Sequence, residues 1–425
     1  MEVLRKWSSE VPPNFLYVAF SLNEKPMGSQ TADVVVAGHI CLDIIPEFDS
    51  APDSPECLVQ PGQLTEVGEA VMVPGGAVSN TGLALHQLGL SPQLIGKVGD
   101  DLIGEATVDR LRRWDDRLAD GILRAEGDAS SYTIVISPPG LERVFFHSSG
   151  PNDTFRPKEI SPEELADARF FYFGYPPLMR EVYLDGGEQL ASLFQKIQTR
   201  GMGVVMDMTV PDPDSESGRV DWAAWLTRVL PHVDLFAPSL EEILFMIDRP
   251  LHDEIREAEG SVSEHVETEV LERVADALIR RGVPLVILKL GGQGLYLRSA
   301  DDAALFRQLE ERLGLSAAQW TGRQLLLPAF ETEVVGTTGA GDAAIAGFLT
   351  GMHRERSPEE TLRGAVAVGT FSVEVADATS GIPDWETVQA RLEAGWEPSP
   401  LKIAHPSWRW SEEQALWVGP EDRRV

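Results

Sequence analysis

The stretch 334-VVGTTGAGDAAIAGFL-349 decides how the rest of the chain is read. Gly336, Gly339, Gly341 and an acid, Asp342, stand at the mouth of a run, AAIAGFLTGM, whose spacing and small side chains predict a helix. The first amides of a helix have no internal acceptors and carry the positive end of its dipole, so they attract anions. Glycine lets a phosphate approach the backbone without meeting a Cβ. Asp342 would repel that phosphate. An acid is comfortable in a first helical turn, and a Gly-rich turn can simply tighten a strand–helix joint. Together, cradle and acid suit a further use: a carboxylate beside a transferred phosphoryl group can take the proton of the attacking hydroxyl.

Outward from this stretch, short β-branched or apolar runs recur: DVVVAG (33–38), PQLIGKVG (92–99), RFFYFG (169–174), GVVMDM (203–208), VDLFAP (233–238) and PLVILKLGG (284–292). Amphipathic stretches such as SPEELADA, GGEQLASLFQKIQTRG and VLERVADALIRRG lie between many of them. Strand alternating with helix predicts a mostly parallel sheet covered on both faces, a three-layer α/β/α sandwich. Two regions break the rhythm. Residues 43–74 carry Pro and Gly punctuation, and SSYTIVISPPGLERVFFHS (130–148) reads as a hairpin with a Pro-Pro-Gly turn. They predict a small β-sheet lid drawn from about 43–74 and 125–150. The expected organisation is an extension over 1–32, one domain over 33–390, and a tail over 391–425 that carries Trp396, Trp408, Trp410 and Trp417. Acid-rich 251–268 and polar, helical 300–323 read as surface insertions.

Sixty-seven acids against 36 bases leave a formal charge of −31, which argues against a nucleic-acid partner. An acidic surface that keeps the chain soluble explains most of that excess. Cys41 and Cys57 make no disulfide framework, so a reducing, cytoplasmic setting is expected. The opening MEVLRKWSSEVPPNFLYVAF reads as an extension rather than a signal peptide, and no apolar run is long enough to span a membrane.

GTTGAGDAAIAGFL resembles the C-terminal signature of the ribokinase-like (PfkB) carbohydrate kinases, whose usual form is Asp-Thr-x-Gly-Ala-Gly-Asp. VPGGAVSNTGLALHQLGL (73–90) resembles the N-terminal signature of that family, and GKVGDDLIG (96–104), GHICLDIIPEF and KLGGQG follow its pattern, so the likeness runs in order over roughly 33–390. The resemblance implies ATP-dependent phosphorylation of a hydroxyl on a sugar or sugar-like small molecule, with Mg²⁺. It implies Asp342 as the base and Gly339, Ala340 and Gly341 as the anion hole. Asp43, Gly75, Gly76 and Asn80 would hold the sugar, with Arg143, His147 and Asn152 as further contacts from the lid strand and its return. Ser239, Lys289, Gly291, Gly292, Gln293, Gly294 and Thr338 would border the nucleotide, and Glu242 would help place Mg²⁺. Read without the family, Asn80 is equally a helix cap, Glu242 a solvated helix residue, Arg143 a paired surface residue and His147 an ordinary histidine.

Four positions depart from the pattern. Cys41 stands where some relatives carry a polar sugar contact. Gly336 replaces the acid that begins the signature, and in the ribokinase branch that acid contributes to a monovalent-cation site, which puts K⁺ activation in question. Ser239 replaces the Asn of Asn-x-x-Glu. Lys289 often appears as Thr in relatives; it could add charge near the phosphates or snorkel from a strand end.

Other chemistries lack their motifs. The chain has no G-x-x-x-x-G-K-[ST] loop, no G-x-G-x-x-G after the first strand, no H-E-x-x-H pair and no G-x-S-x-G elbow. A nucleoside kinase of the same fold and a non-catalytic sugar or nucleotide sensor stay open as alternatives. Lid strands often have exposed edges that pairing would cover, so a homodimer is one arrangement the sequence allows.

Overall fold

The computed structural model describes residues 31–48, 62, 64–138, 144–259, 267–401 and 406–424. Its main sheet has eleven strands. From one edge they are Arg409–Ser411, Leu416–Val418, Gln324–Leu327, Leu295–Ser299, Leu285–Lys289, Leu235–Phe236, Gly203–Met206, Phe170–Gly174, Val34–Gly38, Pro92–Gly99 and Ile122–Ala125. From Leu285–Lys289 to Ile122–Ala125 every neighbouring pair is parallel; the other four strands join antiparallel.

The runs read from sequence form this sheet because both of its faces are covered. Val34, Val36, Phe170 and Tyr172 point to one side, and Val35, Ala37, Phe171 and Phe173 to the other, all fully buried. The first set packs on the helices Gly76–Gln87, Ala340–His353 and Pro358–Ser372. The second packs on Glu188–Thr199, Trp222–Val229, Leu240–Ile247 and Thr268–Ile279. Fully buried strands need no polar alternation, hence their near-continuous apolar sequence.

A separate four-stranded sheet, in the order Ala70–Gly75, Cys41–Pro46, Tyr132–Ile136 and Val144–Ser148, comes from the two regions that break the rhythm. The Pro-Pro-Gly turn expected between its last two strands, with Arg143, lies outside the described residues. The 300–323 stretch is helical over Ala303–Leu313 and Ala317–Trp320, but it is no mere surface insertion: Phe306, Leu309, Leu313 and Trp320 are buried in the core. No helix among the described residues is long and apolar enough to cross a membrane.

The Trp-bearing C-terminal segment supplies two edge strands, with Trp417 opposite Leu326 and the Trp410 and Trp417 rings 5.7 Å apart. A buried charge cluster ties it down. The Arg323 guanidinium, 2% exposed, bonds Asp422 Oδ2 at 3.0 Å and Glu359 Oε1 at 2.6 Å, and Asp422 also accepts from the Gln324 amide. Asp422→Ala would leave a buried cation short of one counter-ion. The expected loss is about 3–5 kcal/mol of stability, read as a lower urea midpoint; an unchanged midpoint would remove the cluster from that role.

Candidate active site

The strand Val34–Gly38 lies between Phe170–Gly174 and Pro92–Gly99, so the chain winds away from it in both directions. In open α/β sheets such a switch point leaves a crevice at the carboxyl ends of the strands, where ligands bind. His39, Tyr175, Asp207 and Lys289 stand at or just beyond these ends. Gly339 and the helix Ala340–His353 bring Asp342 to them.

Gly339 is the N-cap of that helix, at φ 72° and ψ 2°, a left-handed backbone that glycine adopts without steric penalty. Gly339 has no side chain to cap the helix; the Ala340 amide makes a long bond, 3.5 Å, to the Thr337 carbonyl, and the start of the helix presents its positive end to an anion. Asp342 sits in this first turn but is only 2% exposed. Its Oδ2 accepts from Asn80 Nδ2 at 3.0 Å and from the Tyr175 hydroxyl at 2.8 Å. Its Oδ1 accepts from the same hydroxyl at 3.0 Å and from Thr81 Oγ1 at 3.4 Å. Burial first, and then the Asp207 carboxylate, push Asp342 up to about 6; Lys289 and the bonds from Asn80 and Tyr175 pull the other way.

Lys289 ends its strand beside this turn. A Cβ built on Gly341 would lie 3.4 Å from Lys289 Nζ, so the ammonium stands next to the amides. Lys289 Nζ donates to Asp207 Oδ1 at 2.6 Å and lies 3.9 Å from Glu242 Oε2. Burial alone would lower its pKa, but the Asp207 and Glu242 carboxylates outweigh that and hold it above its ordinary value. Glu242 is raised by burial to about 7, with Lys289 opposing. Ser239 and Glu242 form a reciprocal helix cap, Glu242 Oε2 accepting from the Ser239 amide at 2.6 Å and Ser239 Oγ from the Glu242 amide at 3.1 Å. Glu242 is therefore a partly buried, engaged carboxylate and not a solvated helix residue.

On the lid side, Asp43, Thr133 and His147 stand in register across three strands. Thr133 Oγ1 lies 3.0 Å from His147 Nδ1, and Cys41 Sγ donates to Asp43 Oδ1 at 3.3 Å. Burial raises Asp43 above the usual carboxylate range against the bonds from Cys41 and Thr133. A Cβ on Gly75 would meet Asp43 Oδ2 at 2.3 Å, so glycine there makes room for the acid. Gly76 opens the helix that carries Asn80, which is no cap: the N-cap is Gly75, and Asn80 reaches across to Asp342. Asn152 holds backbone beside His39 and Cys41. Its Nδ2 donates to the carbonyls of Ile40 and Ser149 and its Oδ1 accepts from the Ile40 amide, so this side chain fixes backbone where a sugar contact was expected.

The nucleotide-side residues follow Lys289. Gly291, Gly292 and Gln293 form a single 3₁₀ turn; the two glycines are exposed, and Gly294 closes the turn through its carbonyl on the Leu290 amide. Thr338 lies in the loop just before Gly339.

Sequence reading missed Tyr175, Asp207, Thr81 and His39. A usable signal was present: each of Tyr175, Asp207 and His39 directly follows a strand of the parallel sheet. Among the buried polar atoms without partners in the described residues, both ring nitrogens of His39 and Asn80 Oδ1 belong to side chains beside Tyr175, His147 and Asp342. Such atoms in a crevice call for a polar ligand.

The pfkB family carbohydrate kinase model matches residues 31–385, and the chain belongs to that family of carbohydrate kinases. It is similar to a ribokinase of Arabidopsis thaliana, 25% identical over 380 residues that cover 87% of this chain and 84% of the relative. It is also similar to fructokinase-2 of Oryza sativa subsp. japonica, 23% identical over 82% of this chain and 90% of that one. Among solved structures, Arabidopsis thaliana ribokinase complexed with ribose and ATP superposes with a TM-score of 0.61 at 19% identity, over 86% of this chain and 99% of the other. A putative ribokinase II from E. coli in complex with ATP and Mg²⁺ gives 0.62 at 19% identity, over 85% and 99%. These superpositions establish the ribokinase fold.

Proposed function

We propose that the chain transfers the γ-phosphoryl group of ATP to a hydroxyl of a sugar-like alcohol. The observation that carries this reading is a buried carboxylate, Asp342, in the first turn of a helix capped by glycine, beside the partly buried ammonium of Lys289. The terminal phosphate lies on the Gly339–Gly341 turn, and the acceptor hydroxyl enters between it and Asp342. Asp342 takes the hydroxyl proton as the new P–O bond forms and the bond to ADP breaks. The helix amides and Lys289 stabilise the charge that develops, as preorganised groups in a water-poor site do. Ribokinases and fructokinases among the relatives support a sugar acceptor. So does the polar row Asp43–Thr133–His147, which suits hydroxyls better than a flat nucleobase.

Mg²⁺ bound with ATP would neutralise phosphate charge. No three His, Cys, Asp or Glu side chains among the described residues converge as a cage. Mg²⁺ usually takes one or two carboxylates and the phosphates themselves, and Glu242, beside Lys289, is the residue we assign to holding it. At Gly336 a Cβ would lie within 2.9 Å of the carbonyl oxygens of Val375 and Ala376. Backbone thus closes over the place of the signature acid, and the chain lacks that acid's contribution to a monovalent-cation site.

The test is an ADP-release screen over sugars, sugar acids and nucleosides with Mg²⁺, with and without K⁺. A sugar is expected to release ADP well above the acceptor-free rate. Asp342 must be ionised to act, so the rate is expected to rise as pH increases through about 6. Binding of acceptors without any ADP formation would favour the sensor reading.

A further inference from the structure

Tyr175 follows the strand Phe170–Gly174 and holds φ 65° and ψ 48°, in the left-handed region, with Pro176 and Pro177 behind it. A residue other than glycine keeps such a backbone only where its surroundings over-determine it. Its ring lies 6.1 Å from that of His39, and its hydroxyl reaches both oxygens of Asp342, at 3.0 Å from Oδ1 and 2.8 Å from Oδ2.

An ionised carboxylate has about four acceptor positions. Asn80 fills one on Oδ2 and Thr81 a long one, 3.4 Å, on Oδ1. The single Tyr175 proton is shared between the two oxygens and is the adjustable member of the set. It can retire to Oδ2, the nearer oxygen, and release a position on Oδ1 without losing Asp342. Asn80 and Tyr175 then both hold Oδ2, and Oδ1, with only the long Thr81 contact, has a position open to meet an alcohol.

We infer that Tyr175 is a positioning residue for the base, anchoring Asp342 through Oδ2 so that Oδ1 faces the acceptor hydroxyl. This rests on the reading of Asp342 as the base. The groups around Asp342 separate the role of Tyr175 from general electrostatics. Asp207 and Lys289 face it from their strand ends, Tyr172 from the strand before Tyr175, Cys41 from the lid, and Asn80 and Thr81 from the helix Gly76–Gln87. Glu242 lies behind Lys289. Burial first, then the nearby carboxylates, keep the Tyr175 phenol protonated far above its ordinary range, so it stays a donor. A donor to a carboxylate favours its charged form.

Tyr175→Phe keeps the ring and deletes only the donor. Its acid limb in the pH profile of kcat is expected to move up by about one pH unit, about a tenfold loss of rate below the limb. The acceptor KM is expected to change by less than about twofold, since the hydroxyl acts through Asp342. The infrared carboxyl band of protonated Asp342, identified by its loss in Asp342→Asn, should titrate with the same upward shift in the absence of turnover. Fluorotyrosine incorporated into the wild-type chain, a more acidic donor, should move that band's midpoint downward without deleting any group. An unmoved limb and an unmoved infrared midpoint, with Asp342→Asn inactive, overturn the role of Tyr175 alone. Full activity in Asp342→Asn overturns both this inference and the base on which it rests.

Discussion

Asp342→Asn is expected to lower ADP formation with an active acceptor by at least about 10²–10³-fold, the usual cost of deleting one well-placed group in such a site. Asparagine preserves the shape of the side chain and keeps an oxygen for Asn80 or Tyr175, but its amide cannot take the acceptor proton. The fold should therefore survive and KM should move little, while kcat falls at every pH. The acid limb near pH 6 should also vanish, because the group pushed up to about 6 is gone. A folded variant with near-normal turnover would remove Asp342 from its role.

Lys289→Met should damage two properties at once. Removing the ammonium leaves Asp207, 0% exposed in its side chain, without the partner 2.6 Å away. Breaking a buried pair in this way costs about 3–5 kcal/mol of stability. The developing phosphoryl charge also loses a neighbour, for a further loss in kcat of about 10²-fold. A double variant separates the effects. Lys289→Met with Asp207→Asn removes both charges, so most of the stability should return while turnover stays low. Turnover that recovers along with stability would make Lys289 a structural residue only.

The frame of the molecule was legible in the sequence because both faces of the sheet are covered. Runs such as DVVVAG and RFFYFG are almost wholly apolar, as strands buried on both sides must be, whereas a strand with one wet face would alternate. The helix start at Gly339 was legible for a local reason, since a left-handed cap and a first-turn acid lie within four residues. The partners of Asp342 were not. Asn80 is 262 residues away and Tyr175 is 167, and nothing in either neighbourhood announces the contact. Lys289 was readable as a motif position, as a charge near the phosphates or a snorkelling stem, but its pairing with Asp207, 82 residues away, was not. Asn152 shows the converse. Its place in a family-like segment suggested a ligand, whereas its amide is consumed by the backbone of Ile40 and Ser149. The three-residue strands Arg409–Ser411 and Leu416–Val418 were invisible because strands this short take their identity from the edge they join.

The most direct measurement is a crystal structure with ADP, Mg²⁺, aluminium fluoride and the acceptor found by the screen. The fluoride is expected on the amides of the Gly339–Gly341 turn and near Lys289 Nζ. The acceptor oxygen is expected within about 2.6–3.2 Å of Asp342 Oδ1, with Tyr175 retained on Oδ2. An acceptor held away from Asp342, or a fluoride bound away from the start of that helix, would contradict phosphoryl transfer at this turn with Asp342 as the base.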